Sequence, residues 1–134
     1  MIHHISLGVK DIERSRAFYD RVLEPLGFLR LIDDGDNASG YGAEEAMFWI
    51  TRPCNKKRAT VGNGTHVAFD APSRAAVEDF HTQALLCGAD YNGAPGLRPD
   101  YGQNYFAAYV IDPDGHKIEA VITVPDTDEP EGEE

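Results

Sequence analysis

The sequence predicts an α+β domain in which two βαβββ modules form a curved, cleft-enclosing mixed sheet with the helices outside it. Three observations carry this prediction. A strand-like run leading into a helix-like run begins at His4 and again at His66. When His4 is laid on His66, Phe18 falls on Phe80 without a gap, and the closing glycines, Gly27 and Gly88, differ by one position. Each helix-like run is followed by short runs bounded by Gly, Pro, Asn and Asp, the composition of strands and their turns. A repeat of about half the chain is an architecture in itself, because each unit is one supersecondary element used twice.

The elements follow in order. The first strand begins His4-Ile5-Ser6-Leu7-Gly8-Val9, Asp11 supplies an N-cap, and Ile12, Ala17, Phe18 and Val22 form the inward stripe of a helix that stops at Gly27. Strands are expected at 28–32, 39–43 and 47–51. Residues 52–64, with Pro53, Asn55, Gly62, Asn63 and Gly64, read as the linker between a module at 2–51 and a module at 65–124. In the second module the strand at His66 leads to an N-cap at Ser73 and a helix with Ala76, Val77, Phe80 and Ala84 inward, ending at Gly88. A weak strand at 89–92, a strand at 105–111, the tight Asp112-Pro113-Asp114-Gly115 turn and a strand at 117–124 complete it. The stretch 93–105 is long for an internal connection and is placed at the mouth of the cleft. One domain therefore spans 1–124, and the acidic residues 125–134 read as a disordered tail.

The formal net charge of -11 argues against nucleic acid or an anionic membrane as partner, since both require clustered cations to neutralise phosphate. The longest apolar runs, 107–111 and 120–124, are too short to span a bilayer, and Met1-Ile2-His3-His4 enters a strand pattern without a signal-peptide core, so a cytoplasmic protein is expected. Cys54 and Cys87 have no CxxC spacing and read as free thiols.

The His-x-x-Leu-x-Val opening at His4, the Gly-Thr-His-Val-Ala-Phe stretch at 64–69 and Asp112-Pro113-Asp114-Gly115-His116-Lys117-Ile118-Glu119 together resemble the vicinal oxygen chelate superfamily, the glyoxalase, bleomycin-resistance and extradiol dioxygenase group. The resemblance covers residues 2–122. It implies a glyoxalase-like fold and a divalent metal, zinc, manganese, iron(II) or nickel, held by ligands from the first and last strands of each half. Those positions map onto His4, His66 and Glu119, a two-His-one-carboxylate set that leaves coordination sites open for substrate and water. His3 competes with His4, but strand side chains alternate faces, and the match to His66 selects His4. His81 and His116 read as surface residues, with His116 close to the site in sequence.

At the fourth ligand position glyoxalase I enzymes place a carboxylate, whereas this strand reads Met47-Phe48-Trp49-Ile50, and Phe48 aligns there. Glu44 and Glu45 come earlier, in the turn. The three-ligand set that remains is closer to fosfomycin-resistance transferases and extradiol dioxygenases, so lyase, dioxygenase and transferase chemistry stay open. Candidate catalytic groups are Glu119, Tyr109 and Tyr105. Candidate substrate-binding residues are Phe48, Trp49, Arg98, Tyr101, Tyr105 and Tyr109. The run Lys56-Lys57-Arg58 could attract an anion, although a charge run in a linker is ordinarily solvated. The expected partners are a small oxygen-rich substrate and a second copy in a homodimer, because two modules leave sheet edges uncovered. The rival from another class is a metal-free protein of the bleomycin-resistance type, which sequesters a drug or metabolite in an aromatic cleft.

Overall fold

Helix boundaries fall where the capping residues put them. The computed structural model describes residues 1–126. Asp11 accepts from the Arg14 amide at 3.1 Å and opens α1 (Ile12–Leu23), and the Ser73 hydroxyl accepts from the Ala76 amide at 3.0 Å and opens α2 (Arg74–Leu86). Each such cap is worth about 1 kcal/mol. A single 3-10 turn (Glu24–Leu26) follows α1, and Gly27 and Gly88 close the helical segments at φ 90° and 99°, the left-handed conformation that costs glycine nothing.

The strands are β1 (Ile5–Gly8), β2 (Leu29–Asp34), β3 (Ala38–Gly42), β4 (Phe48–Thr51), β5 (His66–Asp70), β6 (Asp90–Tyr91), β7 (Gly96–Leu97), β8 (Phe106–Ile111) and β9 (Lys117–Ile122). They form two mixed sheets, ordered β1-β4-β3-β2 and β5-β9-β8-β6, with β7 also paired to β8. The first strand of each module runs parallel to the last, and the remaining pairs are antiparallel. Both modules are therefore βαβββ in the same spatial order, and the sheets do not close into a barrel. Strand β7 is an addition, formed inside the stretch read as open loop by Gly96 and Leu97 pairing with Ala107 and Phe106. The acidic tail, expected from 125, lies outside the described residues from 127 on. Among the described residues no helix is long and apolar enough to cross a membrane.

Period-two alternation sorts each strand into a helix-side face and a free face. Leu7, Phe48, Ile50, Tyr41, Phe69, Ala108, Val110, Ile118 and Ala120 join Ile12, Phe18 and Val22 of α1 and Ala76, Val77, Phe80 and Ala84 of α2 in one core. Phe48 is 5% exposed and packs in this core, where it also borders an apolar cleft with Phe28, Tyr41 and Val67. The predicted inward stripe of α1 needs correction at Ala17, which is exposed. Polar Arg16 is buried beside it because the Arg16 guanidinium donates to the Ser39 hydroxyl at 2.7 Å and to the carbonyls of Gly35 and Ala38.

A polar clasp joins the modules. The Asp114 carboxylate accepts from the Lys10 amide at 2.8 Å, the Arg14 guanidinium at 3.1 Å and the Ser15 hydroxyl at 3.1 Å. Asp112 accepts from the buried Tyr19 hydroxyl at 2.5 Å, and His116 Nε2 lies 2.8 Å from the Gly8 carbonyl. Buried polar groups are tolerated when paired in this way. His116 and His81 are 2% and 7% exposed, so neither is the surface residue expected: one is drawn in by the Gly8 carbonyl, the other by the inward face of α2.

Candidate metal centre

On β9, Ile118 and Ala120 face the core, so Lys117, Glu119 and Val121 take the free face. The register Tyr109↔Glu119 and Ala68↔Glu119 sets Tyr109 beside Glu119 on that face, with His66 two residues before Ala68. There His66 Nε2 lies 2.7 Å from Glu119 Oε1, and the Tyr105 hydroxyl donates to Glu119 Oε2 at 2.6 Å. The Glu119 side chain is 2% exposed and His66 39%, so the carboxylate is buried beneath a half-open imidazole. A buried carboxylate is tolerable only when both oxygens have partners, and these two supply them.

The cleft over this pair has a volume of about 520 Å³. Tyr101, Tyr105, Tyr109 and Arg98, all predicted, line it. Asn92 and Lys117 were missed. Lys117 was readable, since it stands two residues before Glu119 and so shares its face; Asn92 was not, because its place depends on loop pairing to Tyr109. Gly93 makes that pairing possible: at φ 145° a Cβ there would sit 3.0 Å from the Tyr109 ring. The Arg98 guanidinium and the Lys117 ammonium lie 5.3 and 5.1 Å from the Tyr109 ring centroid, within cation–π range. Arg98 Nη2 also donates to the Ala94 carbonyl at 2.6 Å. Burial, reinforced by the hydrogen bond to Glu119, pushes the Tyr105 phenol above its ordinary range, and burial with the nearby carboxylate does the same for Tyr109. Both phenols hold their protons at neutral pH.

His4 stands elsewhere. It lines a cleft on the free face of the first sheet with His3, Leu31, Ile32, Glu44, Glu45 and Trp49, and its Nδ1 is 2.9 Å from Nδ1 of His3. Among the described residues no group of three or more His, Cys, Asp or Glu is gathered as a metal ion would need. Within one chain, then, His66 and Glu119 meet without His4, because the modules share a core on their helix sides while their free faces line separate clefts. The free-face position of β4 is Trp49, whose neighbours Phe48 and Ile50 are in the core; the strand alignment that chose Phe48 was one residue off. The indole crosses Gly40, where a Cβ would approach it to 2.8 Å.

The donor chemistry of the His66–Glu119 pair fits a divalent cation. Imidazole nitrogen and carboxylate oxygen are the ligand types of zinc, iron, manganese and nickel sites. Ligand atoms around a tetrahedral zinc lie roughly 3.3 Å apart, given bonds of about 2.0 Å, so a small opening of the pair would suffice. The cation would take the place of the direct contact between these two atoms.

Residues 1–120 match the family model of the Glyoxalase/Bleomycin resistance protein/Dioxygenase superfamily. The chain belongs to this superfamily. Its relatives include a lactoylglutathione lyase of Salmonella typhimurium, 30% identical over 129 residues, covering 88% of this chain and 89% of that one. A glyoxalase/bleomycin resistance protein from Albidiferax ferrireducens has a crystal structure that superposes with a TM-score of 0.78 at 34% identity, covering 88% of this chain and 94% of the other. A glyoxalase/bleomycin resistance protein/dioxygenase family enzyme from Burkholderia phytofirmans, at 19% identity and a TM-score of 0.70 over 92% of this chain and 98% of that one, shares the fold. The superfamily's paired-module frame is thus present here, with a histidine opening each module and a carboxylate on the last strand of the second module alone.

Proposed function

We propose that the chain is a metal-dependent enzyme of lyase type, acting on a small oxygen-rich substrate, with His66 and Glu119 as ligands and His4 of a second copy completing the centre. The observation that carries this reading is the 2.7 Å approach of His66 Nε2 to a buried Glu119 carboxylate at the floor of an open cleft. The edge position of β1 and of β5 supports the dimer, since each strand is bonded on one side only within the chain. The 30% identical lactoylglutathione lyase supports lyase chemistry. A bound cation supplies Lewis-acid polarisation of a bidentate oxygen ligand. The chain's own groups do the rest. Tyr105 holds a proton at Glu119 Oε2, Tyr109 forms a wall, and Arg98 and Lys117 favour an anionic substrate. Trp49 offers no second carboxylate, so proton movement falls to Glu119 and Tyr105.

The second reading, a metal-free binding protein, is favoured by the apolar surface of Trp49 and the exposed Leu31 and Ile32 beside His4. Thermal melts with and without zinc, manganese, iron(II) or nickel separate the two. Metal at a hundred times its Kd stabilises by about 2.7 kcal/mol. That rise should be largely lost in Glu119→Gln and in His4→Gln, kept in His3→Gln, and accompanied by a dimeric mass in light scattering. A wild-type melt that no metal moves leaves the metal-free binding protein standing.

A further inference from the structure

At the end of β1 away from His4 lies another cleft, of about 800 Å³, within the range of small-molecule sites. It is built from three separate stretches: Lys10 after β1, the β2–β3 turn with Asp34, and Arg52 leading into the linker with Lys56, Lys57 and Arg58. The linker here is folded back, not loose. The Arg52 amide donates to the Asn37 carbonyl at 2.7 Å, the Lys57 amide to Asn55 Oδ1 at 3.0 Å, and Ala59 is 5% exposed.

The charge in this cleft runs against the sign of the chain. Five of the chain's 12 Lys and Arg residues line this cleft in a protein with 23 Asp and Glu, and Asp34 is the lining carboxylate. Among the described residues none of the five is in an ion pair, and the same holds for Arg21, Arg98 and Lys117, so what sets the five apart is their gathering in one concavity. Lys56 holds φ 61°, the left-handed region that L-residues seldom adopt, in the turn closed by its amide on the Pro53 carbonyl. Like charge gathered in one concavity focuses the local field and raises the concentration of an anion there. Lysine and arginine together suit phosphate oxygens, as point charge and as planar fork. The charge of -11 on the chain repels a long polyanion such as nucleic acid, but a small one can reach the cations inside the cleft.

We infer that this cleft binds a small molecule carrying linked phosphate groups, at a site separate from the His66–Glu119 cleft. Calorimetric titration of the full chain with inorganic pyrophosphate at constant ionic strength tests it. One saturable site is expected. The triple variant Arg52→Gln, Lys57→Gln, Arg58→Gln, all at exposed positions, should weaken it by about ten-fold or more. Asp34→Asn, which removes the lining carboxylate, should tighten it, and Glu119→Gln should leave it unchanged. Cys54 also lines the cleft, so saturating pyrophosphate should slow its alkylation by iodoacetamide, read by peptide mass, while Cys87 reacts as before. The inference is overturned if no saturable binding is seen, if the triple variant binds equally well, if Glu119→Gln abolishes binding, or if sulfate at the same ionic strength reproduces every effect.

Discussion

Where the second module carries Glu119, the first carries Trp49, and strand register makes the two positions equivalent. Ser6, two residues after His4, pairs with Trp49; Ala68, two residues after His66, pairs with Glu119. Around Glu119 the fold supplies a phenol and an imidazole, so a buried carboxylate is satisfied. Around Trp49 it supplies a glycine with no side chain, over which an indole lies. The modules keep one frame because the frame is set by helix-side residues that share a core, and they diverge on the free faces, where packing imposes less. A duplicated unit can thus hold its shape in both copies while the carboxylate persists in one.

The comparison is tested first where the modules should agree. Phe18 and Phe80 occupy equivalent helix positions, 1% and 0% exposed. Replacing either by Ala should cost about 3–5 kcal/mol in urea unfolding, with the double variant non-additive because both fill one core. Costs differing more than two-fold would break the equivalence. The next test adds what the first module lacks. Trp49→Glu restores a carboxylate at the position matching Glu119, and in a centre assembled from two copies it should raise zinc affinity by about ten-fold or more, read by competition with a chelating dye. Unchanged affinity would mean that His4 and Trp49 do not share a centre with His66 and Glu119. The smallest effect lies one residue along the helices. Tyr19 and His81 are equivalent, yet Tyr19 is bonded to Asp112 while His81 Nε2 is buried with no hydrogen-bond partner among the described residues. Burial lowers the His81 pKa below its ordinary value of 6.5. The native state then binds fewer protons than the unfolded chain, so the stability this residue contributes is full above about pH 6.5 and falls as the pH drops. His81→Phe should flatten the dependence of stability on pH between pH 7 and 5. An equally steep slope in the variant would assign it to other groups.

Much of this was legible in the chain. Asp11, Ser73, Gly27, Gly88 and the Asp112–Gly115 turn act through local backbone hydrogen bonds, so their types announce their places. The His66–Glu119 pair was legible only by resemblance, since the distance between strands β5 and β9 leaves no local trace. Phe48 was aligned to the position that Trp49 holds because strand side chains have a period of two, and an offset of one residue moves a group to the other face. His116 could not be seen as buried, because the carbonyl that holds it belongs to Gly8, at the other end of the chain. The basic cleft was hidden for a related reason: Lys56-Lys57-Arg58 reads as a solvated run until the fold sets Lys10 and Arg52 beside it.

The clasp bears on the order in which the molecule can be completed. The amide of Lys10 and the carboxylate of Asp114 are 104 residues apart, and Tyr19 and Asp112 are 93 apart. On a ribosome the first module emerges long before these acceptors have been synthesised, with Ser15 and Tyr19 still lacking the partners that let them be buried. Its helix must therefore wait for a turn near the far end of the domain, and contacts spanning that much chain slow folding because loop closure comes before the gain. Until then the nascent half carries polar groups whose acceptors have not been made, the condition under which incompletely folded chains aggregate or meet chaperones.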